Sequence, residues 1–327
     1  MAMSRDRESK LSELPSWTLF EDPDWLEIVA PGEWAEAEVR NGGQLFGRLP
    51  YVFRQVGPYS RITVPPLTPW LGPWTRASEA KPGSDLGRQH DIVSKLLNQL
   101  PKADSVTVPC APEFANLLPF YWAGFDLRLA YTYRLNLEVG ENVLWAQLKD
   151  SMRREIRKAS KEVVVESEVS AQTLFELVSL TFRRQGLMVP RWLPTLEAIL
   201  SRYTADRYTA LVARDKEGRP HGAILFLHDA RHTFYLTGGG DPDLRNSGAQ
   251  SLLMWEGIRR SVGRSRVFDF EGSMVQGVER FVRGFGATQV PRYYATQTSP
   301  QGRIIQVLRN ASSFAVNGIR VMKEKVS

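Results

Sequence analysis

Val267-Phe268-Asp269-Phe270-Glu271-Gly272-Ser273-Met274, running on to Arg280-Phe281-Val282-Arg283-Gly284-Phe285-Gly286-Ala287, is the stretch from which the rest of the chain is ordered. It reads as a short apolar strand, a Gly-Ser turn, and a helix that ends in Gly-Phe-Gly. Side chains alternate along a strand, so Asp269 and Glu271 are expected on one face, with Phe268 and Phe270 on the other. Two carboxylates on a buried-looking strand need partners, and the glycine turn brings the strand end close to another segment. The plain structural expectation is an ion pair to Arg280 or Arg283.

The same order occurs earlier. A hairpin is expected over residues 35–53 around Asn41-Gly42, because both turn positions favour positive φ. A Pro/Trp-rich loop follows, then a helix over about 88–100, a strand at 104–109, Gly124-Phe125, and the tyrosine-rich strand 131–137. The second half gives strands at 208–214, 221–228 and 232–237, a break at Gly238-Gly239-Gly240, and a helix from Ser247 to Val262. The acidic strand, Gly284-Phe285 and Tyr293-Tyr294 complete it. Hairpin, helix, strand, Gly-Phe and tyrosines thus appear twice, at a spacing of roughly 160 residues, which reads as a duplication. Expected boundaries are 1–145, 146–303 and an amphipathic C-terminal helix over 304–327.

The chain has 327 residues, 43% hydrophobic and 24% charged, enough for two ordinary domains. No apolar run spans a bilayer or resembles a signal peptide. A single cysteine, Cys110, suits a cytoplasmic protein. Cys110 and the four scattered histidines have no metal-ligand spacing, so no metal is expected; His221, His228 and His232 lie on expected strands and read as structural. The net charge of +6 favours anionic partners without choosing among them.

Three features carry candidate chemistry. Tyr235 through Gln250 passes from strand through glycines to a helix start, where free N–H groups bind anions; Arg245, Asn246 and Ser247 would add side-chain donors. A plain turn with Ser247 capping the helix explains the same residues. Arg153, Arg154, Arg157 and Lys158 form a cationic helix face, with Met152, Ile156 and Ala159 inward. They either grip phosphates or form a solvated face. Trp70 and Trp74 offer an aromatic wall for an acceptor, or else a rigid core plug.

Arg153-Arg154-Glu155-Ile156-Arg157-Lys158-Ala159, Phe268–Met274 and Pro66-Leu67-Thr68-Pro69-Trp70-Leu71-Gly72-Pro73 together resemble the FemAB-like branch of the GNAT acyltransferases, with a BioF2-like acetyltransferase domain. The resemblance spans most of residues 18–300. It implies an α+β fold of two tandem GNAT-like domains, each a mixed, mostly antiparallel sheet flanked by helices. It also implies acyl transfer to an amine of a sugar, peptide or lipid-linked cell-envelope precursor. Acyl-CoA is the implied co-substrate, held at Gly239, Gly240, Arg245, Asn246, Ser247, Gly248 and Ala249. The family motif ends in a small residue where this chain has Gln250, which crowds a pyrophosphate. Charged tRNA is the rival donor, and a non-catalytic ligand-binding scaffold the rival from another class; no DNA partner is implied.

In this scheme Glu271, or else Asp269, takes the amine proton. Its pKa would be raised by burial and mutual repulsion. A backbone N–H near Gly238–Gly240 meets the oxyanion. Trp70, Trp74, Tyr235, Arg153, Arg154, Arg157 and Lys158 are the expected substrate contacts. The basic flank of the 304–327 helix offers peripheral membrane contact.

Overall fold

A computed structural model describes residues 16–305, so the helix expected over 304–327 falls almost wholly outside the described residues. The order opens with α1 (Pro23–Val29), the hairpin strands β1 (Trp34–Asn41) and β2 (Gln44–Val56), then β3 (Tyr59–Thr63) and the short β4 (Trp74–Thr75). Next come α2 (Pro82–Asn98), β5 (Ser105–Pro109), α3 (Leu118–Trp122) and β6 (Asp126–Asn136). α4 (Glu141–Gln147), the basic helix α5 (Asp150–Glu162), β7 (Val164–Glu166), α6 (Ala171–Arg184) and α7 (Leu193–Arg202) follow. The chain continues through β8 (Tyr208–Arg214), β9 (Pro220–His228), β10 (His232–Gly240), α8 (Ala249–Ser261), β11 (Val267–Asp269), α9 (Gln276–Arg283) and β12 (Thr288–Thr298).

Two compact units result, and neither is a continuous half of the chain. One comprises Ala30–Arg128 and the residues from Tyr293 on; the other joins the residues up to Val29 with Leu129–Arg292. The division expected at 145/146 is replaced by crossings at 29/30, 128/129 and 292/293. The physical reason is exchange of terminal pieces. Phe20 packs on Phe234 with ring centroids 4.8 Å apart, and Arg202 donates to the Glu27 carbonyl, tying the N-terminal segment to second-half elements. In the other direction, Tyr294–Thr298 of β12 pair antiparallel with Ser105–Pro109 of β5.

Within the first-half unit the strand order is β1-β2-β3-β5-β12, with β4 beside β2. β3 and β5 are parallel, the only such pair described there, because α2 carries the chain across between them. The hairpin turns one residue later than expected, at Gly42-Gly43 with φ 55° and 80°, while Asn41 ends β1 paired with Gln44. Ile92, Val93 and Leu96 of α2 pack on Leu49, Ile62 and Val106.

The second-half unit repeats this plan. Its order is β6-β11-β10-β9-β8-β7, with β9 and β10 antiparallel and β10 and β11 parallel across α8. Hairpin, helix, parallel strand is thus the duplicated element in both units. The core gathers Leu211, Ile224, Phe226, Leu253, Ile258, Phe268, Phe270 and Phe285, with Met152, Ile156 and Ala159 of α5 closing one side. Within each unit the strand pairing is mixed, mostly antiparallel and flanked by helices, as expected.

Candidate functional site

The site begins where two parallel strands stop pairing. β10 and β11 are matched only over His232–Phe234 and Val267–Asp269. Beyond them β10 continues to Gly240, while the other chain turns away. Phe268 and Phe270 are buried and meet edge to face with ring centroids 4.8 Å apart, which fixes the end of β11 in the core.

Asp269 is fully buried. Its Oδ2 accepts from Nε of Arg134 at 2.6 Å, and its Oδ1 accepts from the Thr132 hydroxyl and from the Glu271 backbone N–H at 2.8 Å. The expected partners Arg280 and Arg283 are therefore not the ones used; Arg283 pairs with Glu279 on its own helix. A carboxylate so fully engaged holds backbone in place, and Asp269 is not available as a base. Thr132 and Arg134 were not singled out in the sequence. Their alternation in Tyr131-Thr132-Tyr133-Arg134 puts them on one face, but the Asp269↔Arg134 register is a long-range pairing that no local pattern shows.

Glu271 does not share the Asp269 face. The strand has ended, and Glu271 adopts φ 56°, a left-handed conformation rare for a residue with a Cβ. Gly272 follows at φ 70°, where a Cβ would lie 1.9 Å from the Tyr131 carbonyl oxygen. The close approach inferred from the Gly-Ser turn is thus to β6. Although Glu271 is half-buried as a residue, its Oε1 is sequestered and has no hydrogen-bond partner among the described residues. Burial, and then the Asp269 charge, push its pKa well above the usual carboxylate range; Arg292 opposes the shift. Arg292, another residue the sequence did not single out, is itself buried. Tyr235 feels the same surroundings: burial first, then the Glu271 charge, raise its pKa and keep it a neutral phenol. A bulge at Leu236, between Tyr235 and Thr237, takes one residue out of the ladder with β9. Tyr235 Oη lies 3.1 Å from the position a Cβ on Gly238 would occupy.

The glycines do not break the strand; they end it. A Cβ on Gly239 would sit 2.3 Å from the Leu177 carbonyl oxygen, so this glycine lets α6 lie on β10. The Gly240 N–H reaches the Thr181 hydroxyl at 3.4 Å. Arg245–Ser247 form a 3₁₀ turn, and Gly248, at φ 74°, packs against Glu155 of α5. Ser247 Oγ accepts the Ala249 N–H at 3.3 Å, and Ser247, Gly248 and Ala249 are all buried. The Ser247, Gly248 and Ala249 amides are therefore turned to internal partners, the Leu244 and Arg245 carbonyls and the Ser247 hydroxyl, and Gln250 lies over Gly240. This start of α8 does not fit the pyrophosphate of CoA; Arg245 and Asn246 remain exposed beside it.

The basic helix divides its charges. Arg153 pairs with Asp150 and donates to the Ala146 carbonyl at 2.8 Å, while Lys158 donates to the Asn246 carbonyl at 2.9 Å. Arg157 lies over Trp145, 5.5 Å from the ring centroid. Arg154 is exposed, with no ion pair or hydrogen bond from its guanidinium among the described residues. Arg154, Arg157 and Lys158 lie opposite the buried Met152–Ile156–Ala159 stripe and face solvent. Trp70 is fully buried and Trp74 half-buried in β4. The expected wall at Trp70 is instead a core plug, because the Pro-rich loop folds inward. No group of three or more metal-ligating side chains occurs among the described residues.

This arrangement, an antiparallel pair followed across a helix by a parallel strand that diverges beside a buried carboxylate, defines an acyltransferase-type α+β domain. Residues 146–281 match the acetyltransferase (GNAT) domain family. The chain as a whole has a tandem-GNAT fold. It resembles the crystal structure of FemX, with a TM-score of 0.66 at 13% identity over 94% of this chain and 98% of that one. The C-terminal domain of a putative lysylphosphatidylglycerol synthetase from Agrobacterium fabrum gives 0.55 at 12% identity, covering 92% and 94%. A tandem GNAT protein from the clavulanic acid biosynthesis pathway gives 0.51 at 12% identity, covering 84% and 86%. At these identities the likeness is one of fold. No curated protein matches the sequence.

Proposed function

We propose that this chain is a cytoplasmic N-acyltransferase acting on an amine of a cell-envelope precursor, with Glu271 as the base. The observation that carries the reading is the Glu271 carboxyl at the divergence of β10 and β11, its Oε1 buried without a hydrogen-bond partner among the described residues and its pKa raised by burial. An attacking amine must be neutral. Glu271 takes its proton, the amine nitrogen bonds to the donor carbonyl carbon, and the bond from that carbon to the leaving oxygen or sulfur breaks. Tyr235, held as a phenol, supplies an O–H to the developing oxyanion or the leaving atom. Asp269 positions Glu271 through its backbone N–H.

For the donor, the internally bonded amides at Ser247–Ala249 favour an aminoacyl ester carried on tRNA over acyl-CoA. The solvent-facing stripe of Arg154, Arg157 and Lys158 suits a polyanion of that size. The putative lysylphosphatidylglycerol synthetase domain, by its name, supports an envelope-lipid setting. The test is thermal shift with acetyl-CoA, a long-chain acyl-CoA and charged tRNA, since a donor that binds the native state raises its melting temperature. Stabilisation by charged tRNA alone is expected. Stabilisation by acyl-CoA alone would reverse the donor assignment, and no stabilisation by any of the three would remove the acyl-transfer reading.

A further inference from the structure

Two exposed apolar segments of the second-half unit are flanked by arginines that have no ion pair among the described residues. In the α6–α7 loop, Leu187 is 52% and Met188 90% exposed; after β11, Met274 is 68% and Val275 62% exposed. Arg183, Arg184 and Arg191 flank the first pair, and Arg280 follows the second. Among the described residues none of these four guanidiniums has an ion pair or hydrogen bond. The loop leaves α6 by a fixed path: the Leu187 N–H bonds back to the Phe182 carbonyl and the Gly186 N–H to that of Arg183, with Gly186 at φ 68°.

Topology brings the two segments to one edge. β10 and β11 are parallel, so their C-terminal ends lie on the same side of the sheet. The last turns of α6 lie over that end of β10, where Thr181 meets the Gly240 N–H. The Met274–Val275 segment emerges from that end of β11, three residues beyond Glu271. Asp241 and Asp243 also lie there, against Arg183, Arg184, Arg191, Arg245 and Arg280, so the edge keeps an excess of positive charge.

Solvated apolar tips set among unpaired cations match one surface, an anionic lipid bilayer, where side chains enter the acyl boundary and guanidiniums meet headgroup phosphates. We propose that this edge docks on an anionic bilayer, so that the side of the sheet from which the Glu271 turn leaves β11 faces a lipid-linked amine. Only the naming of that amine rests on the acyl-transfer reading.

Flotation of the full chain with phosphatidylcholine vesicles, and with vesicles that also contain phosphatidylglycerol, tests the docking. Binding to the anionic vesicles is expected, weakened by salt and by about tenfold or more in the Leu187→Asp/Met188→Asp variant. Arg183→Gln/Arg184→Gln should weaken it similarly, with melting temperatures changed by no more than a few degrees because all four side chains are exposed and only the last-turn charges of α6 are lost. No binding of the wild type, equal binding to both vesicle types, or full retention by either variant overturns the proposal. Glu271→Gln should float as the wild type does, so a failure of acyl transfer is read separately from a failure of docking.

Discussion

The Oδ1 atom of Asp269 accepts the backbone N–H of Glu271 at 2.8 Å, two residues further along the chain. That bond, with the Arg134 pair on Oδ2, makes Asp269 the anchor of the turn that carries Glu271. Asp269→Asn keeps the shape but removes the charge facing a largely buried arginine. We expect a loss of about 3 kcal/mol in urea denaturation, since breaking a buried pair strands its partner. Turnover should fall more than KM rises. Wild-type stability in this variant would remove the anchoring role.

Gly272 is the second fixture of the same turn. Alanine there would put a methyl 1.9 Å from the Tyr131 carbonyl oxygen at a φ of 70°. β6 or the turn must move, and we expect Gly272→Ala to cost about 2–3 kcal/mol or more. A crystal structure of the variant should show Glu271 displaced; an unmoved backbone with full stability would contradict the contact.

The two uses of tryptophan in the Pro-rich loop separate cleanly. Trp70 is fully buried, so Trp70→Ala should cost about 3–5 kcal/mol of stability and leave KM for the acceptor unchanged in the surviving folded fraction. A raised KM at unaltered stability would return Trp70 to the substrate wall.

Local signals carried much of this architecture. The 34–56 hairpin (though not its exact turn pair), the period of the basic helix and the Gly-Phe repeats each reflect short-range chemistry, and the duplicated order follows from them. Unit membership did not, because the exchange of the N-terminal segment and of β12 depends on contacts across more than a hundred residues. Likewise Asp269 and Glu271 were legible as a pair with something to do. Their division of labour was not, since it turns on one left-handed residue and on an arginine a strand away. The glycines after Thr237 looked like an anion cradle because close helix packing and phosphate approach demand the same missing Cβ. Leu177 at 2.3 Å decides that at Gly239.

Glu271→Gln tests the base and its environment together. A carboxyl whose folded pKa lies above its unfolded value of 4.5 keeps its proton in the native state over a window in which the unfolded chain has lost it. The native state then binds more protons, so stability falls as pH rises through that window. Glutamine is neutral throughout. The variant should therefore match the wild type below pH 4.5 and exceed it above, by a margin that grows with pH until the wild-type carboxyl has ionised; the Arg292 charge limits the gain. Activity runs the other way. The base works only when ionised, so kcat/KM should rise with pH to an inflection above the ordinary carboxylate range. Glu271→Gln should lose that limb and about 10²–10⁴-fold in rate. A variant no more stable at neutral pH and no slower would leave Glu271 without either role; a more stable but equally active one would keep the buried charge and move the base elsewhere.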